Sequence, residues 1–188
     1  MKTVQRDLLD AALADREAFS AIVKQSESMV YGLAYGFFRN RAIAEDLAQE
    51  AYLELFRNLH KLDSDMHVIN WLRQTVTRKC IDHSRRKKHR PHLDLDSIPE
   101  RKVDPVEWDP ILADELGRKV AELPVKMRTV IILRFQEDLR LSEIADTMDI
   151  PVNTAKTLLR RALIRLQPKV AHLEREVRYA PARQNQPA

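Results

Sequence analysis

Apolar side chains recur every three to four residues along most of the chain, and no long stretch alternates with period two. That spacing predicts helices rather than strands. One stripe takes Phe19, Ile22, Val23, Met29, Val30, Leu33, Ala34 and Phe37, and a second takes Ala44, Leu47, Ala48, Ala51, Leu55 and Leu59. A third, over Val68 to Ser84, takes Leu72, Val76 and Cys80, with Trp71 beside it. These stripes predict three or four helices ending near Arg90. The pattern resumes at Ile111 with Leu112, Leu116, Val120 and Leu123, and Pro124 ends or restarts it. Met127, Val130, Ile131 and Phe135 form the next stripe, and Leu141, Ile144, Ala145 and Met148 a short one. Ala155, Leu159, Ala162, Leu163 and Leu166 form the last.

The expected fold is therefore all-α, with two small helical domains. The first is a bundle over 1–90 and the second a helix-turn-helix domain over 111–170. A connector over 91–110 joins them, and 171–188 is read as a partly disordered extension. Four of the nine prolines fall between Pro91 and Pro110. Eight acids against two bases between Asp94 and Glu115 give that stretch a balance of −6. Prolines break helices and like charges favour extension, so the segment reads as an acidic linker.

Composition narrows the function. Of 188 residues, 32 are Lys or Arg and 28 Asp or Glu, a net charge of +4. The excess is segregated. Arg78 to His92 carries seven bases and one acid, and Val152 to Val170 five bases and no acid. Two basic helical segments flanking an acidic strap suit a polyanion, through release of counterions from phosphates. A single Cys excludes an intramolecular disulfide or a cysteine zinc cluster. The N-terminus has no signal-peptide pattern, and no apolar run approaches the ~18 residues of a membrane span. A soluble chain in the reducing cytoplasm is expected. His83, His89 and His92 lie in the basic run without a closed ligand set, and the sequence offers no nucleophile–base pairing of a catalytic kind. No metal, cofactor or catalytic residue is expected, and the chain is read as a non-enzyme.

The segment from Leu141 to Lys156 is the most informative. A short apolar-faced helix, a break at Asp149-Ile150 and Pro151 at the start of a second helix make a helix-turn-helix. The outer face of the second helix carries Asn153, Thr154, Lys156, Thr157, Arg160 and Arg161. Arg and Lys read guanine and Asn reads adenine in the major groove, so these are the candidate base contacts. Arg165 and Lys169, further along, are read as phosphate contacts.

Leu123-Pro124 with Arg128, Leu133-Arg134, Glu143-Ile144-Ala145, Thr154, Lys156, Arg161-Ala162 and Leu166 resemble the C-terminal domain of bacterial sigma factors, of the extracytoplasmic-function type. Asp149 and Asn153 stand where that family often has Gly, Ala155 where it has Val, and Leu158 where Arg is frequent. The first half resembles the same family. The run Ala44 to Tyr52 is similar to the segment that docks on core RNA polymerase, which implies a core-binding face of Asp46, Gln49, Glu50 and Leu53. These four share one helix face, and mixed acidic and apolar character suits a basic partner helix. Trp71-Leu72, Asp82 and Arg85-Arg86 match the helix that binds the −10 promoter element in that family. The resemblance thereby implies −10 contacts from Trp71, Arg78, Arg85, Arg86, Lys87 and Lys88, with Arg78 replacing a typical Asn. It places Asp63, Ser64, Asp65 and Met66 in a loop that captures a flipped base. Melting a duplex requires preferential binding of the unpaired strand, supplied by basic helices and an unstacked-base pocket. Trp71 serves equally as a wall of that pocket or as a core side chain.

The resemblance implies a factor that binds core polymerase and promoter DNA, reads the −35 element with its helix-turn-helix and the −10 element with its N-terminal domain, and assists melting. It also implies an anti-sigma partner, which the family commonly has. The acidic linker would pass through the polymerase cleft. The rival reading is a stand-alone helix-turn-helix regulator that binds duplex DNA, which accounts for the second half only.

Overall fold

The computed structural model describes residues 16–89 and 110–179, and these form seven helices. Helices α1 (Arg16–Phe38), α2 (Arg41–Asn58) and α3 (Asp65–His89) make the first half, with a 3₁₀ turn at Leu59–Lys61. Helices α4 (Pro110–Ala121), α5 (Val125–Phe135), α6 (Leu141–Met148) and α7 (Val152–Tyr179) make the second. Expectations for the linker and for the tail beyond Tyr179 lie outside the described residues.

The joints follow from local chemistry. Arg39 closes α1 in the left-handed region at φ 52°. Asn40 then caps α2, its side chain accepting from the Ile43 amide at 3.0 Å, the standard satisfaction of an orphan donor. In the first half the three sequence stripes point inward: Val30, Phe37, Leu47, Leu55, Leu72 and Val76 are all buried. The Ser26 hydroxyl is buried too, and donates to the Ile22 carbonyl at 2.8 Å while meeting the Tyr52 hydroxyl at 3.0 Å. That is how a polar group enters an apolar core without large cost.

The second half departs from its stripes in two places. Helix α5 buries Thr129, Val130, Ile131, Ile132 and Leu133, so it is covered on nearly every side, whereas Phe135 is exposed. The reason is tertiary. Ile131 packs with Ala162 and Leu166 of α7, while Ile132 and Leu133 join the core of the first half. Leu163, expected inside, is 43% exposed; Ala162 and Leu166 take the inward positions. With Phe135, Ile164, Leu116, Val120 and Val170 it lines an open apolar groove. Helix α7 also continues through Pro168 to Tyr179, so no break falls at 170. Pro168 gives up one helical hydrogen bond there.

Candidate nucleic-acid interface

The turn between α6 and α7 sets the direction of α7, the candidate recognition helix. Asp149 adopts φ 51° and ψ 55°, the left-handed conformation of a C-terminal helix cap. The Ile150 amide donates to the Ala145 carbonyl at 3.0 Å and the Asp149 amide to the Asp146 carbonyl at 3.3 Å. This paired closure is the one usually supported by Gly, and Asp is among the few other residues that tolerate it. Pro151 stands just before α7 rather than in its first turn, and its carbonyl accepts from Thr154 and Ala155 at 2.8 and 3.1 Å. At the start of α6 the Arg140 amide donates to Glu143 Oε2 at 2.7 Å, which fixes the helix's entry.

Ala155 is fully buried against α6, which turns the opposite face of α7 outward. Asn153, Thr154, Lys156, Thr157, Arg160 and Arg161 are all exposed there. Thr157 has already committed its hydroxyl proton to the Asn153 carbonyl at 2.8 Å, so only its lone pairs remain for DNA. Among the described residues Lys156, Arg160, Arg161 and Arg165 form no ion pair, while Lys169 is held by Glu122. Lys169, read from the sequence as a phosphate contact, is therefore engaged within the chain. The cationic surface is the first three to four turns of the helix.

The N-terminal candidates lie along α3. Trp71, Arg78 and Arg85 are seven residues apart and so fall on one face. Arg78, Arg85 and Arg86 are exposed; Arg85 leans on Asp82 at 3.6 Å. Trp71 is half-buried, packed on the core with part of its surface free. Lys87 and Lys88 continue the helix, and their side chains lie outside the described residues. At the other end, Asp63 and Ser64 precede α3, whereas Asp65 and Met66 form its first turn. Ser64 caps it, accepting from the His67 amide at 3.3 Å. His67 Nδ1 meets Asp63 Oδ1 at 2.8 Å, and that hydrogen bond holds the Asp63 carboxyl below the usual range. Met66 is 67% exposed at the tip, an apolar surface offered to solvent beside a capped helix.

On α2, Asp46, Gln49, Glu50 and Leu53 share the outer face, with Leu53 59% exposed. The structure adds Phe56, 55% exposed and touched edge-on by Phe19 at 5.3 Å. Its signal was its place three residues after Leu53 on the same helix face, obscured by its neighbour Leu55, which belongs to the buried stripe. Lys79 of α3 pairs with Glu50 at 3.2 Å and Glu54 at 3.1 Å, which ties this face to the cationic helix behind it. Among the described residues no cluster of His, Cys, Asp and Glu could hold a metal, and no helix is long and apolar enough to cross a membrane.

Comparison with known proteins bears on both halves. Residues 22–90 match the family profile of Sigma-70 region 2, and residues 113–166 that of Sigma-70, region 4. The ECF RNA polymerase sigma factor SigW of Bacillus subtilis is 29% identical over 90% of this chain and 98% of its own length. The RNA polymerase sigma factor SigV of the same organism is 32% identical, over 71% of this chain and 79% of its own. Among solved structures, CnrH in complex with the cytosolic domain of CnrY superposes with a TM-score of 0.65 at 18% identity, over 89% of this chain and 97% of that one. RpoE of Bartonella quintana, in complex with the anti-sigma factor NepR, gives 0.61 at 16% identity, over 80% and 94%.

Proposed function

The chain belongs to the sigma-70 family of RNA polymerase sigma factors, in its extracytoplasmic-function branch, and on that premise we propose how its surfaces divide the work of initiation. It is a factor for promoter-specific transcription initiation. A stand-alone duplex-binding regulator would lack the region 2 half.

The −35 element is read by the N-terminal turns of α7. The observation that carries this is the set of six polar side chains, Asn153 to Arg161, all exposed on the face opposite buried Ala155, whose cations Lys156, Arg160 and Arg161 form no ion pair among the described residues. The −10 element meets the face of α3 that bears Trp71, Arg78, Arg85 and Arg86, continued by Lys87 and Lys88. The tip formed by Asp63, Ser64, Asp65 and Met66 takes an unstacked base, with Met66 as its apolar seat. Core polymerase meets Asp46, Gln49, Glu50 and Leu53, and Phe56 extends that contact by one helical turn. The division into 1–90, a linker over 91–110, 111–170 and a C-terminal extension is proposed with it. Catalysis stays with the polymerase, and the chain works in the cytoplasm where that enzyme is. An anti-sigma partner of the kind named for the Bartonella protein is proposed as its regulator.

The test is transcription in vitro with purified core enzyme and a pool of random promoter templates. A shared −35 and −10 motif among the transcribed templates supports the reading. A chain that binds core enzyme without redirecting its start sites refutes it.

A further inference from the structure

Seven side chains are exposed along the first three turns of α7, and six of them carry hydrogen-bonding groups. The seventh is Val152, the first residue of the helix, 48% exposed. A single exposed valine on an ordinary surface needs no explanation. This one stands at the leading end of the candidate recognition helix, and it is the apolar member of a set otherwise suited to polar partners. Local stability does not ask for it. The first helical position favours Pro or a strong helix former, and acids there complement the helix dipole, whereas β-branched valine does neither. The first turn is held by the main chain instead. The Pro151 carbonyl accepts from Thr154 and Ala155 at 2.8 and 3.1 Å, and the Ile150 amide donates to the Ala145 carbonyl at 3.0 Å. Nor does Val152 belong to the apolar groove beside α7. Leu163 and Ile164, exposed on the same helix, line that groove with α4 and α5. Val152 precedes Leu163 by eleven residues, about 16 Å along the axis.

The N-terminal end of a recognition helix is the end that meets base edges. Of the groups that base pairs present in the major groove, the apolar one is the C5-methyl of thymine. Valine carries two methyl groups on a stiff stem and no polar atom, so it can discriminate only by such a contact. Lys156 follows one turn later on the same face, its Cβ about 5–6 Å away. That distance is less than two base steps of ~3.4 Å.

We propose that Val152 is a specificity-determining residue, which packs against the 5-methyl group of a thymine in the −35 element, within two base pairs of the pair that Lys156 meets. The proposal rests on the assignment of α7 to that element and adds a methyl contact to the hydrogen bonds assigned there. Thymine and uracil offer the same hydrogen-bonding groups and differ only in that methyl. The contact can therefore be deleted from the DNA side without disturbing any polar contact.

The experiment is a double-mutant cycle with the full chain on core polymerase. Each thymine of the −35 element, on either strand, is replaced in turn by deoxyuridine. Holoenzyme binding is measured for the wild type, Val152→Ala and the nearly isosteric Val152→Thr. In the wild type one replacement should weaken binding about four- to ten-fold, the effect of one or two buried methyl-sized groups. Val152→Ala should weaken binding to the thymine template by a similar factor, and removing the methyl should then cost less than about two-fold. Val152→Thr keeps the side chain's shape, so it carries the cycle if Val152→Ala does not fold, and it should lose part of the methyl preference. Tolerance of uracil at every position overturns the proposal, as does an element with no thymine within two pairs of the Lys156 contact. So does an undiminished loss in both variants. That result would assign the methyl contact to another side chain, such as Thr157, whose hydroxyl is turned back to the Asn153 carbonyl. If scrambling the whole −35 element leaves wild-type binding unchanged, the assignment of α7 fails and the proposal with it. If scrambling abolishes binding while uracil is tolerated throughout, the methyl contact alone is overturned.

Discussion

At the scale of single residues, the exposure of the candidate site was legible where chemistry demands a particular residue type at a surface. Asn153, Lys156 and Arg161 could be picked out because a recognition helix needs polar hydrogen-bonding side chains opposite a small buried one, here Ala155. If Lys156 or Arg161 reads a base, substitution by Ala should cost about 1–3 kcal/mol on the matched −35 sequence and little on a mismatched one. Holoenzyme binding to a panel of single-substituted −35 elements measures this, and equal loss on all templates would demote the residue to a phosphate contact. Asp149 was legible as a departure from Gly, but its consequence needed the backbone. Its left-handed φ makes Asp149→Gly stabilising by about 0.5–1 kcal/mol, a rise of a few degrees in Tm. Calorimetry on the two proteins checks it, and a loss of stability would mean the Asp side chain contributes more than its backbone strain costs. Cys80 read correctly as core filler. Burial pushes its thiol up to about 12, so at neutral pH it is an inert neutral group.

At the scale of elements, helical periodicity found every described helix, but it could not say how many faces of a helix would be covered. Helix α5 shows why. Its stripe of Met127, Val130, Ile131 and Phe135 describes a helix with one partner, whereas the structure gives it two, α7 on one side and the first half on the other. Leu133 is 1% exposed as a result, and Leu163 on α7 is left open although both are leucines in amphipathic helices. The contrast is measurable. Leu133→Ala should destabilise the chain by about 2–5 kcal/mol, the range for a buried leucine that leaves a cavity. Leu163→Ala should change stability by less than about 0.5 kcal/mol, as for an open surface position. Urea unfolding of the two variants separates them, and similar losses would mean that the groove around Leu163 is occupied. Helix α3 carries a charge test of the same kind. Arg85→Ala and Arg86→Ala should weaken promoter binding on all sequences and reduce the slope of log affinity against log salt by about one each. Base-dependent losses would reassign them from phosphates to base edges.

At the scale of the whole molecule, the arrangement of the halves was not legible, because the contacts that set it are single residues far apart in sequence with no periodic signature. Arg39 and Asp114, for example, are 75 positions apart, and neither sits in an apolar stripe. Asp114 also gives the assembly a pH dependence whose sign is fixed. Burial would raise its carboxyl, but hydrogen bonds and charge from Arg118 and Arg39 outweigh that and hold it below the ordinary carboxylate range. A carboxylate depressed in the folded state stabilises that state above its unfolded pKa, near 3.9, and loses the contribution as pH falls through the lower folded value. Asp114→Asn should therefore lower Tm at pH 7. The gap to the wild type should shrink as pH is taken from 5 towards 3, where the wild type loses the same charge. Arg118 is on Asp114's own helix, so its share of the effect belongs to α4, and only the Arg39 share holds the halves together. Arg39→Gln separates the two: it should lower Tm at pH 7 with a smaller pH-dependent gap than Asp114→Asn, and it alone of the pair leaves the Asp114–Arg118 contact standing. A gap for Asp114→Asn that stays constant from pH 7 to pH 3 would show that the carboxylate's charge does not bind the two halves.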